Sequence, residues 1–204
     1  MNPEIFRTYD IRGIAETDLS DEVVGRLGQG YGTYMRAAGL DSVVVARDVR
    51  LSSPRIRDSL VQGMLSAGLE VTDIGVVPTP VFYFSLFHYG ADGGIMITGS
   101  HNPIEYNGFK VCRGRETIYG EEIQRLRELV ESGEFVSEDG RRKRGHPVRA
   151  YTEALKKRVK VGRALKVVTD PGNGTVGPIA KELFSDLGCE VDCIFCEPDG
   201  TFPN

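Results

Sequence analysis

The sequence lacks a strong excess of either charge, and this absence excludes several classes of protein. Its 25 Lys and Arg residues stand against 29 Asp and Glu residues, which leaves a net charge of −4. A nucleic-acid-binding domain usually carries a strongly basic face instead. A hydrophobic content of 40% with so small a net charge also argues against intrinsic disorder. We therefore expect a folded protein with no nucleic-acid partner.

The sequence also lacks a recognisable targeting or membrane-spanning segment. Its N-terminal residues have no basic stretch followed by an apolar core, so they do not resemble a signal peptide. An uncharged run, residues 74–91, contains Pro78 and Pro80, which would break a single spanning helix, so a strand followed by a helix is expected there. These patterns predict a cytoplasmic protein without a membrane partner, whose four cysteines are reduced thiols.

Glycine, by contrast, is abundant, with 25 of 204 residues against a usual share of about 7%. Glycine permits tight turns and close approach of the backbone. Gly25, Gly28 and Gly32 fall inside the first predicted helix, and we expect them to lie where that helix packs closely on a sheet.

Helix and strand patterns alternate along the chain, as in α/β proteins with largely parallel sheets. Strands are predicted from short apolar runs, and helices from apolar residues at helical spacing. Residues 134–145 lose this periodicity and contain the basic run Arg141–Arg144. A solvated loop or hairpin is favoured there over a nucleic-acid or targeting patch.

A faint internal repeat predicts two units. Residues 69–74, which follow Gly68, resemble residues 189–194, which follow Gly188. Each copy of this segment follows the same series of features, namely a strand, a helix with proline in its first turn and a closing glycine. We predict a layered α/β/α domain with a mixed, largely parallel sheet over residues 1–147. The first part of a second, similar α/β domain follows over residues 148–204.

The densest polar turn, residues 98–103 (TGSHNP), follows an apolar strand. Ligands of open α/β sheets bind beyond the carboxyl ends of the strands, so this is a favourable place for a site. Thr98 and Asn102 stand where a serine-hydrolase elbow needs glycines, so that motif is excluded. A polar turn of this kind is often only a connection between strands.

Cationic residues make a functional interpretation of this turn stronger. Arg12, Arg47 and Lys110 are all expected to converge on the turn at Ser100. A phosphorylated serine would carry about −1.5 to −2 charges and would need such partners. Each of these residues taken alone is more simply a surface cation.

Residues 98–103, followed by residues 106–110 (YNGFK), resemble the active-site serine loop of the α-D-phosphohexomutases, the phosphomannomutase/phosphoglucomutase family. Residues 6–13 (FRTYDIRG) resemble the N-terminal signature of that family. Further matches occur in the same order at residues 47–52, 77–80, 170–174 and 199–204. The resemblance covers nearly the whole chain and corresponds to the first domain and part of the second of a four-domain enzyme.

The resemblance implies that Ser100 carries a phosphoryl group and exchanges it with a hexose monophosphate through a hexose bisphosphate. It assigns acid/base roles to His101 and Lys110, and places Arg12 at the phosphoryl-transfer site. Tyr9, Arg47 and Asn102 are expected to bind substrate. Positioning and charge neutralisation dominate this chemistry. The two residues Ser100 and His101 are adjacent in the chain and need not face each other.

The family's Mg²⁺ is held by the phosphoserine together with a later Asp-Gly-Asp-Gly-Asp loop. Of these ligands the present sequence offers only Ser100, through its phosphate, and no such Asp run occurs in it. Mg²⁺ requires near-octahedral oxygen ligation, which one phosphoserine cannot supply. The chain is therefore expected to be an N-terminal fragment that is inactive alone, with Mg²⁺ as the cofactor of the complete enzyme.

Three alternative interpretations remain to be weighed. Cys189, Cys193 and Cys196 have the spacing of an iron–sulfur motif, but on a strand Cys196 would face away from the other two. Residues 170–174 (DPGNG) lack the Walker and dinucleotide-binding patterns, and a positioning turn between strand and helix is favoured. The third alternative is a non-catalytic sugar-phosphate-binding or regulatory module built on the first mutase domain.

Overall fold

The computed structural model describes all residues from 1 to 204, and its elements alternate as the sequence pattern predicts. After a short 3₁₀ helix, Pro3–Ile5, the elements of the first unit are β1 (Ile11–Ile14), α1 (Asp21–Ala37), β2 (Ser42–Arg47), α2 (Ser53–Ser66), β3 (Glu70–Val76), α3 (Thr79–His88), β4 (Gly93–Ile97), β5 (Tyr106–Arg113), β6 (Glu116–Thr117), α4 (Glu121–Ser132) and β7 (Arg141–Arg144). A second unit contains α5 (Val148–Arg158), β8 (Lys166–Thr169), α6 (Gly177–Asp186) and β9 (Glu190–Cys193).

The main sheet is mixed and its strand order is β1-β5-β4-β2-β3-β7, with β6 paired to β5. Strands β4, β2, β3 and β7 run parallel to one another, whereas β5 is antiparallel to both β4 and β1. The carboxyl ends of β2 and β4 therefore meet at one edge of the sheet, where Asp48 N–H donates to the Ile97 carbonyl at 2.9 Å.

Period-two alternation along the central strands builds a core on each face of this sheet. Val43 and Val45 of β2 join the larger apolar cluster, which α1, α2 and α4 cover. Val44 and Ala46 of the same strand face α3 on the other side. The predicted fold class, a layered α/β/α domain followed by the start of a similar α/β unit, is confirmed.

The second unit repeats the arrangement of β2, α2 and β3 on a smaller scale, because β8 and β9 are parallel and α6 connects them. Asn173, in the turn between β8 and α6, is buried and has a φ of 61°. Its N–H donates to the Phe195 carbonyl and its Nδ2 to the Glu197 carbonyl, both at 2.9 Å. Residues 170–174 thus fix the segment that follows β9.

Strands β7 and β1 are among the elements that differ from the sequence prediction. The basic run Arg141–Arg144, expected in a solvated loop or hairpin, is strand β7 and pairs in parallel with β3 at the sheet edge. All four side chains are exposed, which is how charged residues protect a sheet edge from further pairing. Strand β1 was not predicted, because its four residues are too few to display a periodicity.

The predicted strand and helix over the uncharged run 74–91 are confirmed by the end of β3 and by α3. No helix in the protein combines the length and the apolar composition that a membrane crossing requires.

The cysteine predictions need a correction. Strand β9 ends at Cys193, and Phe195 then adopts a φ of 51°, so the chain turns back and brings the Cys196 sulfur against the Cys193 sulfur. The expectation of opposite faces for this pair is wrong for that reason, whereas the reduced state of the four thiols stays a prediction. Cys112 and Cys189 are free, and burial raises the pKa of the Cys112 thiol to about 11.

Of the three glycines named in the sequence analysis, Gly28 and Gly32 pack closely against helix α2 or its C-cap residue, and not against the sheet. A Cβ atom at Gly28 would collide with the Leu60 carbonyl of α2, and one at Gly32 would collide with Ala67. A Cβ atom at Gly25 would meet only the Ser59 carbonyl, at an ordinary 3.9 Å. The expected close packing is therefore present, but its partner is a helix.

We expect Gly28→Ala to lower the free energy of unfolding by about 2 kcal/mol, because overlap with a packed backbone outweighs the better helix propensity of alanine. Gly25→Ala, the matched control on the same helix, should instead raise it by up to about 1 kcal/mol. Urea denaturation of both variants measures the difference. Equal stabilisation by the two substitutions would contradict the close packing of α1 on α2.

Asp73 connects α2 and β7 to the end of β3. Its Oδ2 accepts from Arg57 Nη1 and from Arg142 Nη2, each at 2.6 Å, and its Oδ1 accepts from the Gly75 N–H at 2.9 Å. Burial works to raise the pKa of Asp73, but these three donors together hold it below its ordinary value of 3.8.

Asp73→Asn should lower the free energy of unfolding by about 2 kcal/mol at neutral pH, since hydrogen bonds to a charged group are lost. Because folding lowers this pKa, the stabilisation is present above pH 3.8 and is lost as the pH falls through the lowered value. Denaturation of both proteins across the acid range should show their stabilities converging. Asp58→Asn, which removes an exposed partner of Arg57, should have a much smaller effect.

Candidate functional site

The polar turn, residues 98–103, lies at the carboxyl edge of β4, next to the end of β2. Ser100 in this turn has a φ of 52°, which places a non-glycine residue in the left-handed region. Such a conformation costs about 1–3 kcal/mol and persists only where the surrounding structure fixes it. The Ser100 N–H donates to Thr98 Oγ1 at 2.9 Å, and the Asn102 N–H donates to the Gly99 carbonyl at 3.0 Å.

The side chain of Ser100 is exposed and lies beside His101. Ser100 Oγ is 3.2 Å from His101 Nδ1, so the two neighbouring side chains do face each other. This contact follows from the left-handed turn, which no sequence pattern indicates. It gives the hydroxyl a titratable partner within hydrogen-bond distance.

Strand β1 brings Arg12 to the turn from the far side of β5. Arg12 Nη1 donates to Asn102 Oδ1 at 3.1 Å, and Arg12 Nη2 lies 3.2 Å from Asp10 Oδ2. Asn102 Nδ2 in turn donates to the Gly99 carbonyl at 2.8 Å. Both ends of the Asn102 amide are therefore engaged within the protein, and one of them orients Arg12.

Lys110 reaches the same place from β5, where it pairs with Met96 of β4. A cavity of about 80 Å³ separates these groups and is lined by Asp10, Arg12, Thr98, Ser100, His101, Asn102, Phe109 and Lys110. Arg12 is paired with Asp10, whereas no carboxylate lies within ion-pair distance of Lys110. The cavity therefore has an excess of positive charge beside the serine hydroxyl, and this arrangement can bind one anionic group.

The structure does not bring two of the predicted site residues to this cavity. Tyr9 is 73% exposed and lies outside its lining. Arg47 lines a separate cavity of about 310 Å³ together with Arg57 and Asp73. Burial and the nearby Arg57 lower the pKa of Arg47. Ser100, His101, Asn102, Lys110 and Arg12 do come together as expected.

Sequence reasoning missed Asp48, which lies under the turn. Asp48 Oδ2 accepts from the Gly99 N–H at 3.0 Å, and Asp48 Oδ1 accepts from Ser53 Oγ at 2.6 Å. Buried Asn107 donates from Nδ2 to Ser53 Oγ at 2.9 Å. Residues 47–52 match the family in sequence, but which of them turns toward the serine depends on the path of the chain after β2.

The residues present do not by themselves fit a Mg²⁺ ion. The cavity has one carboxylate, Asp10, and that group is paired with Arg12. Nowhere in residues 1–204 do three or more His, Cys, Asp or Glu side chains form a group that could hold a metal ion. Near-octahedral oxygen ligation therefore needs ligands beyond those of this cavity.

Comparisons with known proteins place this geometry in context. The family model described as phosphoglucomutase/phosphomannomutase, alpha/beta/alpha domain I, matches residues 3–137, and the model for alpha/beta/alpha domain II of the same description matches residues 149–204. A phosphomannomutase/phosphoglucomutase of Pseudomonas aeruginosa is 41% identical over 200 residues, which cover 98% of this chain and 43% of the relative. A phosphoglucomutase of Neisseria gonorrhoeae is 38% identical over 206 residues, with 98% and 44% covered.

Solved structures agree with these matches. A phosphoglucomutase/phosphomannomutase family protein from Burkholderia thailandensis superposes with a TM-score of 0.95 at 42% identity, covering 100% of this chain and 46% of that one. The chain thus spans less than half the length of the relatives that it matches.

The cationic cavity should bind inorganic phosphate, and Lys110→Gln should weaken that binding about tenfold, because one hydrogen bond to a charged group is lost. Lys157→Gln, which removes an exposed lysine of α5, is the matched control and should leave binding unchanged. Titration calorimetry at constant ionic strength measures both. An equal loss in the two variants would indicate a diffuse charge effect and contradict a specific anion site.

Proposed function

Because the chain belongs to the phosphoglucomutase/phosphomannomutase family, we propose that it forms the phosphoserine-bearing part of a phosphohexomutase. Such an enzyme is an isomerase that interconverts hexose 1-phosphates and hexose 6-phosphates. The observation that carries this proposal is the left-handed turn at Ser100, which presents an exposed hydroxyl beside Arg12 and Lys110. In this proposal residues 1–147 form the phosphoserine domain, and residues 148–204 belong to the second domain.

In the proposed reaction, Ser100 carries a phosphoryl group on Oγ and transfers it to a free hydroxyl of a hexose monophosphate. The bond between Oγ and phosphorus breaks as the sugar oxygen bonds to phosphorus, which produces a hexose bisphosphate. This bisphosphate then reorients, and its other phosphoryl group returns to Ser100 Oγ. The isomeric monophosphate leaves, and the phosphoserine is restored.

The protons of this exchange pass through His101 and Lys110, two titratable side chains that line the cavity beside Ser100. His101 Nδ1, 3.2 Å from Ser100 Oγ, protonates that oxygen as its bond to phosphorus breaks. Lys110 assists proton transfer at the sugar hydroxyl, the acid/base role that the family resemblance implies. Arg12 neutralises charge on the phosphoryl group, the main contribution that a protein makes to this chemistry.

The other predicted binding residues have smaller parts in this scheme. Asn102 uses both ends of its amide within the protein, so it holds Arg12 in place and leaves the sugar to other residues. Tyr9 is exposed and available on the substrate side. Arg47 lies outside the cavity and takes no part in it.

The proposal includes Mg²⁺ as the cofactor, with the phosphate on Ser100 as one ligand and the remaining ligands outside these 204 residues. When bound, the metal ion would neutralise charge on the transferred phosphoryl group. On this basis the 204-residue chain holds the phosphoryl-accepting serine but does not sustain turnover by itself.

A hexose 1,6-bisphosphate should transfer one phosphoryl group to Ser100 of the 204-residue chain, because Oγ lies in the anion-binding cavity. Intact mass and peptide mapping measure the transfer. Ser100→Ala should gain none, and Ser137→Ala, which alters an exposed serine elsewhere, should behave as the wild type.

The same samples, supplied with Mg²⁺ and a hexose monophosphate, should show no sustained interconversion in a coupled assay. Sustained turnover would contradict the claim that essential groups lie outside these residues. A wild-type chain that binds hexose phosphates but never gains a phosphoryl group would favour a non-catalytic sugar-phosphate-binding module instead.

A further inference from the structure

Arg50, which follows β2, is enclosed by the serine turn and is only 3% exposed. Its two terminal nitrogens donate four hydrogen bonds, all to backbone carbonyls of the serine turn and of the chain that leads from it into β5. Nη1 donates to Pro103 at 2.7 Å and Tyr106 at 2.9 Å, and Nη2 donates to Asn102 at 2.7 Å and Ser100 at 3.3 Å. The four hydrogens of these two nitrogens thus each have one acceptor.

These four bonds fix which way the turn faces. The carbonyls of residues 100, 102, 103 and 106 all point inward to one guanidinium. The planar fork of an arginine can hold four acceptors at fixed angles, whereas the three donors of a lysine radiate from a single atom. The left-handed conformation of Ser100 is therefore maintained by a residue that does not line the anion cavity.

The same guanidinium explains why glycine precedes the serine. A Cβ atom at Gly99 would collide with the Arg50 guanidinium, because Arg50 packs directly against the backbone of Gly99. The positive charge is balanced by Asp48, whose Oδ2 lies 3.5 Å from Arg50 Nε and also accepts from the Gly99 N–H. Asp48 thus accepts a hydrogen bond from the start of the turn, and Arg50 donates to the carbonyls that follow.

The second α/β unit covers this arginine. The Phe202 ring lies over the Arg50 guanidinium, with the guanidinium carbon 5.6 Å from the ring centroid. A Cβ atom at Gly200 would collide with the Val49 carbonyl, so the segment that follows β9 packs closely on the residue preceding Arg50. Phe202 has a φ of 47°. An aromatic face over a cation attracts it and keeps competing water away from its hydrogen bonds.

We propose that Arg50 is a positioning residue for Ser100, and that Phe202 of the second α/β unit completes its hold on the serine turn. Through this contact the placement of the second unit determines how firmly Ser100 is presented. The inference rests on the phosphoserine function proposed above, but its first test is independent of that function.

The first test is amide hydrogen exchange in the 204-residue chain, followed by NMR. The reporters are the amides of Gly99, Ser100, Asn102 and Tyr106, all hydrogen-bonded within or beneath the turn. Arg50→Lys should speed their exchange at least about tenfold, because several carbonyls lose their donor, while the amides of β2 and β4 remain unchanged. Phe202→Leu should speed exchange at the same amides by a smaller factor.

The matched control is Arg55→Lys. Arg55 also donates to two backbone carbonyls, those of Ala15 and Leu19, but away from the serine turn. This variant should leave the four reporter amides at their wild-type rates. Unchanged reporter exchange in Arg50→Lys, or an equal increase throughout β2 and β4, would overturn the inference.

The second test is the rate at which a hexose 1,6-bisphosphate phosphorylates Ser100. Arg50→Lys should lower the rate at saturating donor more than about tenfold, since the nucleophile is misplaced, and should leave the half-saturating donor concentration unchanged. A wild-type chain that is never phosphorylated would contradict the proposed function. The hydrogen-exchange measurement would still test the role of Arg50 in that case. Phosphorylation of Arg50→Lys at the wild-type rate would overturn that role.

Discussion

The buried ion pair of Arg50 and Asp48 is the interaction on which the serine turn depends. A guanidinium taken out of water is tolerated only when a counter-charge and hydrogen-bond acceptors replace its hydration. Asp48 supplies the charge, and four carbonyls of the chain between β4 and β5 supply the acceptors. The turn therefore accepts from four of the five guanidinium N–H groups, and the fifth, at Nε, faces Asp48 without a hydrogen bond.

The mixed sheet brings cations to the other side of the same turn. Parallel strands β2 and β4 both end at the site edge, which places Asp48 and Ser100 there. Antiparallel strands β5 and β1 contribute Lys110 and Arg12 from their strand bodies instead of from loops. Gly108 of β5 stands opposite Arg12, and a Cβ atom there would collide with the Ile11 carbonyl, so glycine keeps β1 close enough for Arg12 to reach Asn102.

Sequence reasoning predicted the layers and most of the cavity because both depend on local patterns. Apolar runs and helical spacing locate β2, α2, β3 and α3, and the motif at residues 98–103 identifies Ser100. The choice between Arg47 and Arg50 could not be made in this way. Arg47 still lies on β2, and its side chain enters the cavity beside Arg57 and Asp73, whereas Arg50 lies beyond a turn that carries it under Ser100. Strand β7 was missed because its partner β3 is distant in sequence and supplies the pairing that four basic residues do not suggest.

The guanidinium of Arg50 belongs both to the support of the serine turn and to the contact between the two units. The turn at Ser100 is strained, and a strained backbone keeps its shape only as far as its supports are rigid. One support, Arg50, packs under the Phe202 ring. Asn173 in turn fixes the segment leading to that ring, because the Asp199 N–H donates to the Asn173 carbonyl at 2.9 Å. The turn between β8 and α6 is thus linked to the serine through a short series of contacts. A movement of the second unit that lifted Phe202 would expose the hydrogen bonds of Arg50 to water. The position of Ser100 would then be less well fixed, although the residues that line the cavity around it would be unchanged.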